Sequence, residues 1–358
     1  MKIVISGLGV MGASLAQAIK NSGLKSDIWG YDRIDVLNQA QKLGIIDQQI
    51  QNWPQDCSNT DIVFLATPIH VIKQHLADLN NIISDKVIVT DIGSTKYELH
   101  NYCNEINFSG KYVGGHPMTG AEKSGISASN PLLYENAIYI LTIDNAHIDK
   151  NIEDSLIKVL KAIKARIFFL DPGIHDQVMS MISHLPQLLA VALINFVGKE
   201  NEKLQYCFNL AAGGFRDLTR IASSSPDIWQ DIINSNKNNI KQALENFIFQ
   251  LEQEKNKLDD IRETFEQANN FRSKIPKTSK GFLSPLTDVL VYVNDQKGVI
   301  AKISNALFKQ DIDIRDIELL KIREHEGGVF MISFENEQKA AQAVNILQSI
   351  NYNAFIKE

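Results

Sequence analysis

An α/β domain, an all-helical domain and a C-terminal ferredoxin-like sandwich, in that order, are predicted from three patterns in the sequence. Short β-branched runs alternate with helix-length stretches up to about residue 170. From Asp176 the apolar residues fall three and four apart, and beyond residue 286 strand-like and helix-like segments follow in the order βαββαβ. A chain of 358 residues suits two or three compact units of roughly 150 residues each. The expected divisions are 1–171, 172–272 and 287–358, with a linker over 273–286.

In the first domain seven strands are expected: Ile3 to Ser6, Ile28 to Tyr31, Ile62 to Ala66, Val87 to Asp91, Tyr112 to Gly115, Ile138 to Thr142 and Ile167 to Leu170. The helices between several of them predict a parallel sheet. Val178, Ile182, Leu185, Leu189, Leu193 and Phe196 then mark one face of a helix. Ile240, Leu244, Phe247, Leu251, Leu258, Ile261 and Phe265 continue almost as heptads, a stripe suited to intrachain core or to a dimer seam. Between Arg272 and Leu286 four basic residues, Pro276, Gly281 and Pro285 occur without an acidic residue, which reads as a linker. The tail reads as strand (Val289 to Val293), helix (Val299 to Phe308), strand (Ile314 to Ile322), a turn at Gly327-Gly328, strand (Val329 to Phe334), helix (Gln338 to Gln348) and a last strand to Ile356.

With 44% hydrophobic and 22% charged residues the composition is that of a folded globular chain. A formal charge of -6 opposes sequence-wide attraction to nucleic acid or anionic lipid, so an anionic substrate needs a local basic pocket. The longest clean apolar run, Leu188 to Ile194, is far below the ~20 residues of a membrane span, and no span is expected. The apolar N-terminus imitates a signal peptide, but Gly7, Gly9 and Gly12 would weaken its helix. Cys57, Cys103 and Cys207 form neither a disulfide frame nor a metal knuckle, which fits a reducing cytoplasm. His70 and His75 lack nearby Cys or acidic partners and read as surface residues, so no metal site is expected.

Gly7-Leu8-Gly9-Val10-Met11-Gly12 follows the first strand and opens a helix. In that context the first glycine permits a tight turn, the second lets backbone approach a pyrophosphate, and the third lets helix and strand pack closely. Asp32, 20 residues beyond Gly12, can accept from a ribose 2′-hydroxyl and would repel a 2′-phosphate. The expected domain is therefore a Rossmann-type dinucleotide-binding one, and the expected cofactor is NAD, although Arg33 could tolerate NADP.

Two loops after expected strands carry the polar residues of a site: Asp91-Ile92-Gly93-Ser94-Thr95-Lys96 and the segment from Gly114 to Lys123. Ligands of an open α/β sheet sit beyond its strand C-termini, so these loops should face the nicotinamide. His116 is the candidate base, because neutral imidazole can accept a hydroxyl proton as hydride leaves the same carbon, and Ser94 could assist. In the helical half, Asp217 and Arg220 lie three apart and on a helix would share a face. Arg220 could grip a substrate carboxylate with its fork, or the two could be a surface ion pair. His184 is open between a helix-start residue and a ligand contact.

Taken together, Gly7-x-Gly9-x-x-Gly12, Asp91-x-Gly93-Ser94-x-Lys96, Gly115-His116-Pro117-Met118-x-Gly120-x-Glu122-x-x-Gly125, Ser183-His184-Leu185-Pro186 and Gly213-Gly214-Phe215-Arg216-Asp217-x-Thr219-Arg220-Ile221-Ala222 resemble the prephenate dehydrogenase family over about residues 1 to 270. The tail, with Asp295-Gln296-Lys297-Gly298 between its first strand and helix, resembles an ACT domain, a module that usually senses amino acids. The resemblance implies NAD-dependent oxidative decarboxylation of prephenate to 4-hydroxyphenylpyruvate, with arogenate as the alternative substrate. A homodimer is expected as well, and tyrosine is expected as effector of the C-terminal unit on the strength of its βαββαβ order and the loop from Asp295 to Gly298. By the same resemblance His116 and Ser94 hold the ring hydroxyl, Arg220 binds a carboxylate, His184 lines the side-chain end, and Glu122 and Asp217 shape an ion-pair network. Lys96, Lys123 and Arg216 are further candidates to compensate a dianion. A non-catalytic sensor of NAD and amino acids is the rival from a different class, against which His116 and Ser94 argue.

Overall fold

Strand and helix alternate through the first half of the chain, and the computed structural model describes residues 1–120, 123–143, 149–275, 286–323 and 327–357. Two compact units are present, Met1–Ile261 and Arg262–Glu358. The first begins β1 (Lys2–Ser6), α1 (Val10–Asn21), β2 (Asp27–Tyr31), α2 (Ile34–Lys42), β3 (Gln48–Gln49), β4 (Ile62–Leu65), α3 (Ile69–Leu79), β5 (Ile88–Asp91), α4 (Tyr97–Glu105), β6 (Lys111–Pro117) and β7 (Ile138–Thr142). It continues with α5 (Lys150–Ile152), a π-helical turn at Glu153–Ile157, α6 (Lys158–Ala162) and β8 (Arg166–Leu170).

These strands form one sheet in the order β3-β2-β1-β4-β5-β6-β7-β8. The sheet is mixed, not wholly parallel as expected, because β7 runs antiparallel to β6, pairing His116 with Ile140. The chain returns from β6 to β7 with only a short 3-10 turn, Ile126–Ala128, among its described regular structure, so no helical crossover reverses its direction. Helices cover both faces, and the strands accordingly bury both rows of side chains. Ile3, Ile5, Ile62, Phe64 and Ile88 point into one core, while Val4, Val63, Leu65 and Val89 point into the other. His75 belongs to this interior rather than to the surface: its Nδ1 lies 3.0 Å from Ser6 Oγ, against Tyr31 and Trp53. Burial pushes its pKa down.

The helical part follows as α7 (Pro172–Met179), a π-helical turn (Ser180–His184), α8 (Leu185–Leu204), α9 (Gly213–Thr219), α10 (Pro226–Ser235) and α11 (Lys237–Asn256). Asp171 caps α7 by accepting from the N–H groups of Gly173 and Ile174, and Pro172 occupies the first turn, where no N–H is needed. The expected apolar face breaks at the π turn, where the wider turn shifts the helical phase. Ile182 and Phe196 are exposed, whereas His175, Asp176, Met179, Ser180, His184, Leu185 and Ala190 are buried. The run from Leu188 to Ile194 thus lies within a continuous helical stretch, Pro172–Leu204, long and apolar enough by composition to cross a membrane. Its buried polar residues belong instead to the network described below. The expected heptad run is interrupted as well, since α11 ends at Asn256 and Leu251, Leu258 and Phe265 are exposed.

The second unit comprises α12 (Arg262–Ser273), β9 (Thr287–Val293), α13 (Val299–Phe308), β10 (Asp316–Arg323), β11 (Gly327–Phe334), α14 (Glu337–Ser349) and β12 (Asn353–Ile356). Its antiparallel sheet has the order β10-β11-β9-β12, with Val289, Val291, Ile332 and Phe334 packed on Ile303, Leu307, Ala343 and Leu347. Gly327 pairs with Arg323 of β10 and Gly328 with Val293 of β9, so the expected turn there is strand. Most of the expected linker, residues 276–285, lies outside the described residues.

Candidate active site

Backbone geometry at the glycine-rich turn suits a dinucleotide. Gly7 has φ +93°, and a Cβ there would lie 2.5 Å from Ala66 O. A Cβ on Gly12 would lie 1.9 Å from Gly7 O, so only glycine lets α1 approach β1 this closely. Gly9, just before α1, would place a Cβ with nothing within 4 Å, leaving room where the pyrophosphate would approach free helix N–H groups. Leu8, Val10 and Met11 complete the turn. Asp32, at the end of β2, accepts from Leu8 N–H (2.7 Å) and Arg33 N–H (2.7 Å). The same carboxylate thus ties the turn to β2.

His116 stands near the end of β6, partly exposed. Its Nδ1 lies 2.8 Å from Nε2 of His175, whose Nδ1 lies 2.7 Å from Asp176 Oδ1. Asp176 also accepts from the N–H groups of Lys96 (2.8 Å) and Tyr97 (3.0 Å), where α4 begins. These bonds bind the loop carrying Ser94, the end of β6 and the start of α7 into one unit. Burial drives the His116 pKa well below the ordinary imidazole value, reinforced by His175, Lys96 and His184. The ring is therefore neutral and able to accept a proton.

Lys96, a candidate to face a dianionic substrate, is fully buried and ion-paired with Asp91. Its Nζ also donates to Gly115 O (2.7 Å), and Tyr112 Oη donates to Asp91 (2.7 Å). Burial lowers the Lys96 pKa against the opposing pull of Asp91. The pair fixes the backbone just before His116. It offers no exposed charge to a ligand. Lys123 and Arg216 are exposed.

His184 is buried at the end of the π turn, a kind of helix irregularity common at functional sites. Asn236 Nδ2 donates to Asp176 O (2.8 Å) and lies 3.2 Å from His184 Nδ1, which links His184 to the same network. The His184 pKa is pushed down to about 4, chiefly by burial. With Nδ1 accepting, the neutral ring carries its proton on Nε2 and can donate. Asp217 lies on exposed α9, but Arg220 opens the following 3-10 turn, so the two do not share one helix. Gln187 Nε2 donates to Ile221 O (2.9 Å) and fastens that turn to α8. Glu122 lies outside the described residues.

Sequence reasoning missed His175, Asp176 and Asn236. The available signal was a His-Asp dipeptide at the start of an otherwise apolar stripe, since buried polar groups require partners. In the second unit, Asp295 and Gly298 line a cleft of about 310 Å³ with Ile300, Leu319 and Phe330. Gly298 has φ +84°, a conformation suited to glycine, and immediately precedes α13.

Three family descriptions match the chain: "Prephenate dehydrogenase, nucleotide-binding domain" over residues 15–169, "Prephenate dehydrogenase, dimerization domain" over 171–271, and "ACT domain" over 287–351. A prephenate dehydrogenase of Bacillus subtilis (strain 168) is 34% identical over 362 residues, covering 99% of this chain and 97% of the relative. The crystal structure of prephenate dehydrogenase from A. aeolicus in complex with hydroxyphenyl propionate and NAD+ is 32% identical, with TM-score 0.70, covering 77% of this chain and 98% of that one. Synechocystis arogenate dehydrogenase is 29% identical, with TM-score 0.67, covering 77% of this chain and 100% of its own. The chain belongs to the prephenate dehydrogenase family and is an NAD-dependent oxidoreductase with a C-terminal ACT domain.

Proposed function

We propose that this protein catalyses oxidative decarboxylation of prephenate to 4-hydroxyphenylpyruvate and CO2, and that tyrosine regulates it through the ACT domain. What supports prephenate over arogenate is the degree of identity: the Bacillus subtilis and A. aeolicus prephenate dehydrogenases are 34% and 32% identical, against 29% for the Synechocystis arogenate dehydrogenase. Turnover, rather than sensing alone, is supported by a neutral, partly exposed His116 near the end of a strand of the dinucleotide-binding sheet.

NAD, when bound, supplies the hydride acceptor. Prephenate becomes aromatic as hydride leaves C4 and CO2 leaves C1, so the protein chiefly binds, orients and holds a proton. His116 takes the C4 hydroxyl proton on Nε2, and Ser94 steadies that hydroxyl. The proton returns to the oxygen once the ring is aromatic, so the net reaction releases none. His184 donates from Nε2 to the side-chain end of the substrate, and Arg220 grips a carboxylate. The family resemblance assigns Asp217 and Glu122 to an ion-pair network around the substrate. Asp32 accepts from the ribose hydroxyl and repels a 2′-phosphate.

Exposed Phe196, Leu204, Phe208, Leu210, Ile248 and Phe249 lie within the segment matching a dimerization domain, which supports a homodimer. Three unpaired cysteines suit the cytoplasm. NADH formation followed at 340 nm, with prephenate against arogenate and NAD against NADP, tests the reading. Prephenate with NAD should give the highest kcat/KM. A preference for arogenate would move the protein to the second reading.

A further inference from the structure

His116, His175 and Asp176 stand in a hydrogen-bonded row that ends on the start of α4. His175 is fully buried and Asp176 nearly so, and the two imidazole rings meet edge to face at 66° with centroids 5.0 Å apart. The direction of each proton in this row follows from donor and acceptor chemistry. Two backbone N–H groups, of Lys96 and Tyr97, already point at the Asp176 carboxylate, which therefore acts as an acceptor. The proton of its third contact belongs to His175 Nδ1. With His175 holding a single proton on Nδ1, its Nε2 carries a lone pair, and His116 then donates to it from its own Nδ1. That leaves the lone pair of His116 on Nε2, the ring nitrogen free to meet a substrate hydroxyl.

We propose that His175 and Asp176 are positioning residues that hold His116 in its Nδ1–H form and fix the direction of its Nε2. The proposal rests on His116 being the base and deepens that reading. A histidine in the opposite tautomer would present an N–H to the substrate and could not take its proton. Asp176 is itself fixed at the first turn of α4, where the free N–H groups and the helix dipole favour a carboxylate. When His116 takes the hydroxyl proton, its positive charge is shared through Nδ1–H with His175 and, behind it, with Asp176; the proton then goes back to the product oxygen. Among the described residues, Lys96 and His184 are the other titratable groups that act on His116, and Asp91 lies behind Lys96 paired to it.

Full-length variants assayed with prephenate and NAD test this, with melting temperature and calorimetric NAD binding as controls. Asp176→Asn can turn an amide N–H toward His175 and invert the row, so kcat should fall roughly a hundredfold or more while KM for prephenate and NAD affinity move less than about threefold. His175→Gln keeps a carbonyl able to accept from His116 and should stay within about tenfold of wild type, whereas His175→Phe should lose about a hundredfold. If Asp176→Asn fails to fold, the Gln and Phe pair at position 175 carries the test. Asp176→Asn with kcat within threefold of wild type overturns the proposal, as does a loss spread equally over kcat and KM with Gln no better than Phe. His116→Asn is the separating control: its inactivity beside active His175→Phe and Asp176→Asn enzymes would remove the positioning role alone, and its full activity would remove the base itself.

Discussion

Lys96 is ion-paired with Asp91 although neither side chain reaches solvent, and the same ammonium donates to Gly115 O, one residue before His116. Lys96→Ala would leave a carboxylate buried with only the Tyr112 hydroxyl and backbone donors around it. Breaking a buried pair from one side costs about 3 to 5 kcal/mol. Urea unfolding at neutral pH should show a loss of that order, and a loss below about 1 kcal/mol would mean that water reaches Asp91 in the folded protein.

Gly9 and Gly12 should separate cofactor binding from folding. A Cβ at Gly9 meets no atom within 4 Å and the residue has φ -67°, so Gly9→Ala should keep the wild-type melting temperature. Its NAD affinity should nevertheless weaken about tenfold or more, because the methyl occupies the approach of the pyrophosphate. A Cβ at Gly12 would lie 1.9 Å from the Gly7 carbonyl oxygen, so Gly12→Ala should fold poorly even without ligand. Thermal melts and calorimetric titration with NAD check both expectations.

Periodicity made the strands legible because most are short, β-branched and buried on both faces; only the two-residue β3 left too little pattern to find. The reversal of β7 was hidden, since a buried strand has the same composition in either direction. Ile182 and Phe196 were misplaced because one π turn changes the helical phase without any residue type that announces it. At the site, His116 and His184 stood in loops and motifs of unusual composition. His175 and Asp176 did not: their role arises only when α7 meets β6 and the start of α4, which are some 60 to 80 residues away in sequence.

His184 should make the protein sensitive to acid. Its pKa falls from the ordinary 6.5 to about 4 on folding, so between these values the unfolded chain binds a proton that the folded chain does not. Stability is then fully present above about pH 6.5 and is lost as pH falls toward 4, by an amount on the order of 3 kcal/mol for this group. His116, also held low, acts in the same direction. Replacing His184 with Asn should flatten the stability profile across this window. An unchanged slope would show that His184 is protonated in the folded state.

Asp295 borders the cleft beside Gly298 in the ACT unit and can accept from the ammonium group of an amino acid. If tyrosine acts there, Asp295→Ala should relieve inhibition by roughly five- to 150-fold in tyrosine concentration, the usual range of coupling between sites, with the uninhibited rate unchanged. Tyrosine also resembles the product, so equal inhibition of wild type and variant would place its action at the active site.

Proton acceptance by His116 is tested most directly by the pH dependence of kcat/KM for prephenate in wild type and in His116→Asn. Wild type should hold its activity below pH 6.5, because burial and the neighbouring His175, Lys96 and His184 keep His116 neutral there, and should fall only in stronger acid as the ring is protonated. The Asn variant should be slower by about a hundredfold or more at neutral pH, lack that acid limb, and bind NAD as wild type does. A variant that kept near-normal kcat, or showed the same acid limb as wild type, would contradict the assignment.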